Sequence, residues 1–234
     1  MFTEATITDR VNTCGALMST KVVFDLGGVV IAWRPSQFVT DLHLFQAIDI
    51  DFYNIRDKLL NAVFQKFESD SDWAKFDGNR ISIEQLAANI AERIRSELIH
   101  WHGSPQTVLN WIESLPSRLT PIDDTLEWLR ELEAANVPLY FLSNMPKPFI
   151  GHLVSQYQLF GHFNDGIFSG DVGFVKPQVA IFESAADRFK FAQSDHVVFI
   201  DDHLPNVKVA NQFGWQGIHH VNVKQSREIL KRLI

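Results

Sequence analysis

Short apolar runs that end in polar or glycine residues recur along the chain. Runs of this length with such boundaries are typical of buried strands. The longer segments between them carry apolar residues at three- and four-residue spacings, which is typical of helices. We therefore predict strands over the runs Lys21–Phe24, Val137–Leu142, Gly166–Ser169, His196–Ile200 and Gln216–Val221.

The stretch between the first two predicted strands is more than a hundred residues long, which is too long for one crossover of a parallel sheet. Within it, Asp51–Phe67 and Ile83–Ile99 carry apolar residues at helical spacing. Ser82, followed three residues later by Gln85, predicts a capping box at the start of the second helix. An inserted helical cap explains these features.

The later part of the chain alternates predicted strands with predicted helices over Asp123–Ala135 and Gln178–Lys190. Such alternation is typical of parallel sheets with helices on both faces. We therefore predict an α/β fold, a three-layer Rossmann-like parallel sheet core with an inserted helical cap. The expected parts are a tail at 1–20, a core at 21–35 and 112–234, and the cap at 36–111.

Composition narrows the classes of function. The 234 residues are 46% hydrophobic and 21% charged, which suits one large domain or a core with an insert. The formal net charge of −7 argues against a nucleic-acid-binding surface. No stretch approaches the roughly 20 apolar residues of a membrane span, and the single Cys14 cannot form an internal disulfide. We expect a cytoplasmic protein that binds neither nucleic acid nor membrane.

The first twenty residues show no sustained period. They carry Glu4, Asp9 and Arg10 where a signal peptide has its apolar core. Met18 lies three residues before the first predicted strand. We hypothesise that translation begins at Met18, which the intact mass of the native protein would decide.

Polar groups suited to phosphate chemistry stand at the carboxyl ends of the predicted strands. In a parallel sheet these ends meet at one edge, where α/β folds bind their ligands. Each group alone has a structural alternative, in a turn, a helix cap or an exposed position. Together they predict an active site. The groups, in chain order, are Asp25, Ser143 with Asn144, Lys176, and Asp201 with Asp202.

The same groups suit a metal ion. A carboxylate can attack phosphorus only when the repulsion between two anions is offset, and a divalent cation does this while aligning them. Mg²⁺ prefers oxygen ligands. Asp25, the backbone carbonyl of Gly27, Asp202 and waters are able to supply them. We therefore expect Mg²⁺ as the cofactor.

The four motifs, at Asp25, Ser143, Lys176 and Asp201-Asp202, resemble in order and context those of the haloacid dehalogenase-like hydrolase superfamily, over nearly the whole chain. The resemblance implies that Asp25 is a nucleophile that forms an aspartyl-phosphate. It also implies that Asp202 binds the metal directly and that Asp201 lies behind the metal ligands.

The resemblance further implies the substrate contacts. Ser143 and the backbone amide of Asn144 would hold phosphate oxygens, while Lys176 would offset the charge of the carboxylates and of the phosphorylated aspartate. The stretch Phe199–Gly214 is similar to the phosphatase domains of soluble epoxide hydrolases. We therefore expect a Mg²⁺-dependent phosphatase that acts on a small phosphorylated metabolite.

One position departs from the family pattern. Gly27 stands where most phosphatases of this family carry a second aspartate as general acid and base. Such an acid contributes about 10² to 10⁴ in rate, so we expect slow hydrolysis of esters with poor leaving groups. An anomeric sugar phosphate or an acyl phosphate would suffer least, and Phe24–Gly27 and Asp77–Ser82 are similar to bacterial α-D-glucose-1-phosphate phosphatases. His203 is either a substitute acid or an exposed loop histidine.

Two alternatives remain open. In the first, Asp25 attacks a carbon that bears a halide, and no metal is required. That branch of the family typically lacks the pair Asp201-Asp202, and chloride release from a 2-haloacid in the presence of chelator would support it. In the second, the chain is a non-catalytic module that binds phosphate or a partner. Binding without turnover of any ester would support the second.

The pair Trp33-Arg34 follows the first strand, where the chain enters the predicted cap. Trp33 would close over a substrate, with Arg34 meeting an anionic group. A purely structural role for both is the alternative.

Overall fold

The computed structural model describes residues 20–44, 52–98 and 101–234. The predicted tail up to residue 19, with Met18, lies outside the described residues. No helix in the described ranges is long and apolar enough to cross a membrane. The elements, in chain order, are β1 (Lys21–Phe24), α1 (Pro35–Leu44), α2 (Phe52–Phe64), α3 (Asp72–Asp77), α4 (Ile83–Glu97), α5 (Pro105–Ser114), α6 (Asp123–Ala134), β2 (Leu139–Ser143), α7 (Lys147–Gln156), β3 (Asp165–Phe168), α8 (Ser169–Val172), α9 (Val179–Phe189), β4 (Val197–Asp201), α10 (Leu204–Phe213), β5 (Gln216–His219) and α11 (Val223–Leu230).

A five-stranded parallel sheet forms the centre of the fold, with strand order β3-β2-β1-β4-β5. Successive side chains of β1 point to opposite faces, so Val23 packs in one core cluster and Phe24 in the other. Trp128 of α6 packs edge-on against Phe24, with ring centroids 5.2 Å apart. On the other face, Phe182 of α9 packs against Phe199 at 5.5 Å. The predicted three-layer α/β fold is confirmed.

Strand β1 lies at the point where the order of strand addition reverses. The chain adds β2 and β3 on one side of β1 and then β4 and β5 on the other. Phe24 pairs with Ile200, so Asp25 lies level with Asp201 at the carboxyl edge of the sheet. Open α/β sheets bind ligands at such a switch point.

Helices α1 to α5 lie between β1 and β2 and pack on one another as an inserted cap. Leu86, Ile90 and Ile94 recur at four-residue spacing on α4 and are fully buried. Trp111 of α5 donates its indole N–H to the carbonyl of Phe38 in α1 at 2.9 Å. The limits of the cap at residues 36 and 111 remain a proposal.

Helix α4 begins where the sequence predicts. The Ser82 hydroxyl accepts the backbone N–H of Gln85 at 3.2 Å. The predicted capping box is not completed, because the Gln85 side chain does not accept the backbone N–H of Ser82; its amide donates to Asn89 at 2.7 Å. Only one of the two hydrogen bonds of the predicted capping box is therefore present.

Helix α3 joins the cap to the core. Its Phe76 packs edge-on against Phe149 of α7, with ring centroids 5.8 Å apart. The hydroxyl of Ser169, at the start of α8, donates to the backbone carbonyl of Asp77 at 2.7 Å. These contacts fix the last turn of α3 against the carboxyl edge of the sheet.

Replacement of Asp72 by asparagine should destabilise this part of the cap. The Asp72 carboxylate accepts hydrogen bonds from Arg93, from Asn89 at 3.0 Å and from Lys75 at 3.3 Å. Burial alone would raise the pKa of Asp72, but these donors lower it below its ordinary value. We expect Asp72→Asn to reduce the free energy of unfolding by about 1 to 3 kcal/mol at pH 7, measured by urea denaturation.

The effect of Asp72→Asn should depend on pH in one direction. Because the folded-state pKa of Asp72 is depressed, its stabilisation is present above the unfolded-state pKa of about 4 and is lost as the pH falls through the folded-state pKa. The difference in free energy of unfolding between wild type and Asp72→Asn should therefore become smaller in acid. The control is Asp57→Asn, since the Asp57 side chain is 79% exposed and should change stability by less than about 0.5 kcal/mol. Equal losses in both variants would contradict the prediction.

Candidate active site

Three carboxylates meet at the carboxyl ends of β1 and β4. Asp25 directly follows β1, Asp201 ends β4 and Asp202 comes next. One oxygen of each lies within 4.8 Å of the others. Asp201 is fully buried, Asp25 is nearly so, and Asp202 is exposed. Carboxylates this close repel one another unless cations lie among them.

Lys176 supplies one cation. Its Nζ lies 2.8 Å from Oδ1 of Asp25 and 2.7 Å from Oδ2 of Asp201. Burial alone would lower the pKa of Lys176, but Asp201 and Asp25 raise it above its ordinary value. The ammonium therefore stays charged between the two carboxylates.

The side chain of Asn144 holds the Lys176 backbone in place. Its Oδ1 accepts the backbone N–H of Lys176 at 2.8 Å, and its Nδ2 donates to the backbone carbonyl of the same residue at 3.0 Å. This reciprocal pair joins the loop after β2 to the loop before α9. It fixes the base of the side chain whose ammonium reaches Asp25.

Protein donors occupy both oxygens of Asp201. Its Oδ1 accepts the backbone N–H of His203 at 2.7 Å. Asn206 donates to both oxygens at 3.0 Å, and Lys176 donates to Oδ2. The oxygens of Asp201 are therefore already hydrogen-bonded to the protein. Asp25 and Asp202 are the two carboxylates of this cluster that face the cavity.

Gly28 allows Asp202 to approach the turn after β1. Its φ of +74° lies in the left-handed region that favours glycine. A Cβ atom at this position would also overlap the Asp202 carboxylate. Conformation and close approach both require glycine here.

The pKa values of Asp25 and Asp202 are raised. Burial raises the pKa of Asp25 to about 7; Lys176 opposes this shift, and Asp201 and Asp202 add to it. Loss of hydration, followed by repulsion from Asp201, raises the pKa of Asp202 to about 6. Negative charge exceeds positive charge among these groups, a condition that a bound cation relieves.

A cavity of about 310 Å³ opens beside these carboxylates. Its volume lies near the lower end of the range for small-molecule sites, roughly 300 to 1,000 Å³. Asp25, Gly27, Asn144, Lys176 and Asp202 line it on the core side. Much of the remaining wall is aromatic or aliphatic, from Ile31, Trp33, Phe67, Trp73, Met145 and Phe149.

The cap adds a carboxyl group to the cavity. Asp77, the last residue of α3, lines the cavity and is 8% exposed. Burial and repulsion from Asp25 raise the pKa of Asp77 to about 8, while Lys176 opposes the shift. The sequence marks Asp77 only as part of a stretch with a family likeness and assigns it no role. Nor does it assign one to Asn206, although an amide soon after an acidic pair is a usable signal.

Ser143, the last residue of β2, is 1% exposed. Its hydroxyl is buried and has no hydrogen-bond partner among the described residues. A buried hydroxyl of this kind is stabilised by a ligand oxygen that accepts its proton. Ser143 does not itself line the cavity, although the next residue, Asn144, does, and the phosphate-binding role of Ser143 remains a prediction.

Two further residues named from the sequence line the cavity, and one does not. Trp33 and His203 belong to its wall. Arg34 is exposed and lines a separate surface depression together with Arg118. The hypothesis that Arg34 meets an anionic group in this cavity therefore has no support in the structure.

Known proteins resemble this chain. A family model described as haloacid dehalogenase-like hydrolase matches residues 22–214. The sesquiterpene phosphatase astK of Aspergillus oryzae is 24% identical over 199 residues, which are 84% of this chain and 87% of that protein. An (S)-2-haloacid dehalogenase of Pseudomonas putida is 29% identical over 97 residues, 42% of each protein.

Solved structures show the same fold. The HAD family enzyme bt-2542 of Bacteroides thetaiotaomicron, in complex with magnesium and inorganic phosphate, matches with a TM-score of 0.58 at 21% identity, over 86% of this chain and 93% of that one. The family model covers most of the chain, so the family and the enzyme class expected from the sequence are confirmed. The chain belongs to the haloacid dehalogenase-like hydrolase family.

Proposed function

We propose that this protein is a Mg²⁺-dependent phosphatase that hydrolyses a small phosphorylated metabolite through an aspartyl-phosphate intermediate. The position of the Lys176 ammonium, between Asp25 and Asp201 at 2.8 and 2.7 Å, carries the proposal. A buried cation beside a carboxylate that faces a cavity suits the binding of a phosphate dianion. Similarity to a sesquiterpene phosphatase over most of the chain supports the same reaction.

The donor set fits magnesium. Asp25, Asp202 and the backbone carbonyl of Gly27 would hold the ion, and all three supply hard oxygen atoms. Three carboxylates around one ammonium leave an excess of negative charge, which a divalent cation would offset. When bound, Mg²⁺ would neutralise phosphate charge and align the phosphate with the nucleophile.

The protein residues divide the remaining work. Oδ1 of Asp25 forms an ion pair with the Lys176 ammonium at 2.8 Å and accepts the backbone N–H of Leu26 at 2.6 Å. Oδ2 accepts no hydrogen bond from a described residue and is the atom available to attack phosphorus. Ser143 and the backbone of Asn144 would bind phosphate oxygens, and Lys176 would stabilise the charge that develops on them.

The cavity wall bears on the substrate. Aromatic and aliphatic side chains such as Trp33, Trp73 and Phe149 favour an ester whose organic part is largely apolar. The sesquiterpene phosphatase relative agrees with such a substrate. Sugar hydroxyls would find few polar partners on this wall, so the cavity favours an apolar ester over a sugar phosphate. The sugar phosphate expected from the sequence remains an untested prediction.

Phosphate release from a panel of esters, with Mg²⁺ or with chelator, tests this function. The panel should contain terpenyl, other alkyl, aryl and sugar phosphates. Mg²⁺-dependent release is expected, fastest with apolar esters. Release that is unaffected by chelator, or no release from any ester, would contradict the proposal.

Metal binding can be measured without turnover. A ligand that binds only the folded state stabilises it, by about 2.7 kcal/mol at a hundred times its Kd. Mg²⁺ should therefore raise the Tm of the wild type, and Asp202→Asn should lose most of this rise. Asp171→Asn, at an exposed position outside the cavity, should keep it. Equal responses in the two variants would show that Asp202 does not bind the ion.

Dehalogenation is the second candidate, because a 2-haloacid dehalogenase matches 97 residues of the chain. In that reaction Asp25 would attack the carbon that bears the halide, and no metal would be needed. The cluster of Asp25, Asp201 and Asp202 favours phosphate chemistry instead. Chloride release from 2-chloropropionate in the presence of chelator would reverse this preference.

A further inference from the structure

Hydrolysis of an alkyl phosphate needs a proton donor. An alkoxide is a poor leaving group unless its oxygen receives a proton as the P–O bond breaks. Gly27 has no side chain to give one. A Cβ there would lie 3.7 Å from the Cβ of Trp33, an ordinary contact, so lack of space does not explain the glycine. A second group that lines the cavity is in a position to supply the proton.

Asp77 is the cavity carboxyl group that the proposed function leaves unused. Two other cavity carboxylates, Asp25 and Asp202, already serve as nucleophile and metal ligand. The side chain of Asp77 makes no hydrogen bond or ion pair with any residue that the structure describes, although the residue is 92% buried. Its carboxyl opens onto the cavity, so an oxygen atom of a ligand bound there can be its partner.

The backbone of Asp77 is held where such a role requires. Ser169 donates to its carbonyl at 2.7 Å, and the preceding Phe76 packs on Phe149 of the core. The hydroxyl of Ser71 caps the start of the same helix by accepting the N–H of Ala74 at 3.1 Å. A short helix fixed at both ends holds the backbone of its last residue in a constant position.

The electrostatic surroundings favour the protonated form of this carboxyl. Burial and the negative charge of Asp25 raise the pKa of Asp77 to about 8, and the Lys176 ammonium acts in the opposite direction. At neutral pH the group is therefore largely protonated. A carboxylic acid in this state can give a proton and later take one back.

We propose that Asp77 is the general acid and base of the reaction, supplied by the cap in place of the side chain that Gly27 lacks. This proposal rests on the proposed phosphatase function. In the first step Oδ2 of Asp25 bonds to phosphorus, the P–O bond to the alcohol breaks, and the leaving oxygen takes the proton of Asp77. In the second step the Asp77 carboxylate takes a proton from water as the water oxygen bonds to phosphorus. The bond from phosphorus to Asp25 then breaks and frees phosphate.

His203 is the rival acid. It lines the cavity, but its side chain is exposed, and its backbone N–H donates a hydrogen bond to Asp201. Asp77, by contrast, is buried and without a partner. His203→Gln therefore belongs in the test as a competing variant.

Asp77→Asn, with two esters, tests the proposal. Turnover of an alkyl phosphate and of p-nitrophenyl phosphate should both fall by about 10² to 10⁴. The nitrophenolate ion leaves without a proton, so only p-nitrophenyl phosphate should show a rapid burst, near one product per active site, before slow turnover. An alkyl phosphate should show no burst, because its first step is impaired. A merely structural role for Asp77 would not divide the two esters in this way.

Controls make each outcome decisive. Asp70→Asn, at an exposed cap position outside the cavity, should turn over both esters within about twofold of wild type. Asp77→Glu keeps the acid and should retain more turnover than Asp77→Asn. The proposal is overturned if Asp77→Asn turns over the alkyl ester like wild type, if the loss comes without a burst, or if His203→Gln alone gives the burst. If the wild type hydrolyses neither ester, the phosphatase function itself fails.

Discussion

Asp25→Asn should reduce the rate of phosphate release by at least about 10⁴-fold, the order of loss seen when a catalytic nucleophile is removed. An amide oxygen is a far weaker nucleophile than a carboxylate and leaves no hydrolysable phosphate adduct behind. The rate should be measured at saturating ester and Mg²⁺. A variant that keeps more than a tenth of wild-type turnover would exclude Asp25 as the nucleophile.

The loss in Asp25→Asn should not come from unfolding. The folded-state pKa of Asp25 is raised to about 7, so the stability linked to its protonated form is lost as the pH rises from the unfolded-state pKa through the folded-state value. A neutral amide avoids that loss. Denaturation at pH 7.5 should show no large decrease in stability, and Asp171→Asn serves as the control for turnover.

Isotope labelling shows whether water attacks phosphorus or the carboxyl carbon of Asp25. When one turnover is run in H₂¹⁸O with enzyme in excess, water attacking phosphorus places the label in phosphate, while water attacking the aspartyl carbon would place it in Asp25. A label in the carboxyl group of Asp25 would place the water attack on the aspartyl carbon, as in dehalogenation, and would contradict hydrolysis by attack on phosphorus.

Lys176→Met should reduce the free energy of unfolding by about 3 to 5 kcal/mol at pH 8, the usual loss when one partner of a buried ion pair is removed. The Lys176 side chain is 1% exposed and contacts two carboxylates whose own side chains are 11% and 0% exposed. Without the ammonium, both would remain buried without a counter-charge. Urea denaturation measures the difference.

The destabilisation by Lys176→Met should shrink at lower pH. Asp25 has a raised pKa even beside the ammonium, so it takes up a proton readily once Lys176 is gone, and the penalty of its buried charge disappears. The control is Lys147→Met, which removes an exposed pair with Asp171 at 3.5 Å and should change stability by less than about 1 kcal/mol. A similar small effect in both variants would mean that Lys176 is not needed to balance the buried carboxylates.

The central strands could be predicted because a strand that is buried on both faces has a continuous run of apolar residues. The apolar runs at Lys21–Phe24 and His196–Ile200 are the strands β1 and β4, within a residue at each end. Packing among the cap helices left a weaker signal. The side chain of Gln85 is an example, because both the Ser82 backbone, three residues earlier, and the Asn89 side chain, four residues later, lie within its reach, and it bonds to Asn89.

The candidate site was predictable on its core side and not on its cap side. The carboxyl ends of parallel strands lie at one edge of the sheet whatever the loops do, so Asp25 and Asp201 were expected at that edge. The pairing of β1 with β4 makes them neighbours. Their chemical roles remain predictions. Asp77 reaches the same cavity from an insert whose docking angle depends on contacts such as Phe76 with Phe149, and no local pattern encodes that angle.

The aromatic wall of the cavity also has an optical consequence. Trp33 and Trp73 both line the cavity, with ring centroids 6.1 Å apart, and the other four of the six tryptophans do not line it. Indole emission shifts with the polarity of its surroundings. A ligand that displaces water from the cavity therefore changes the fluorescence of two of the six tryptophans. The protein thus carries its own fluorescent reporter of occupancy, one that needs neither label nor turnover.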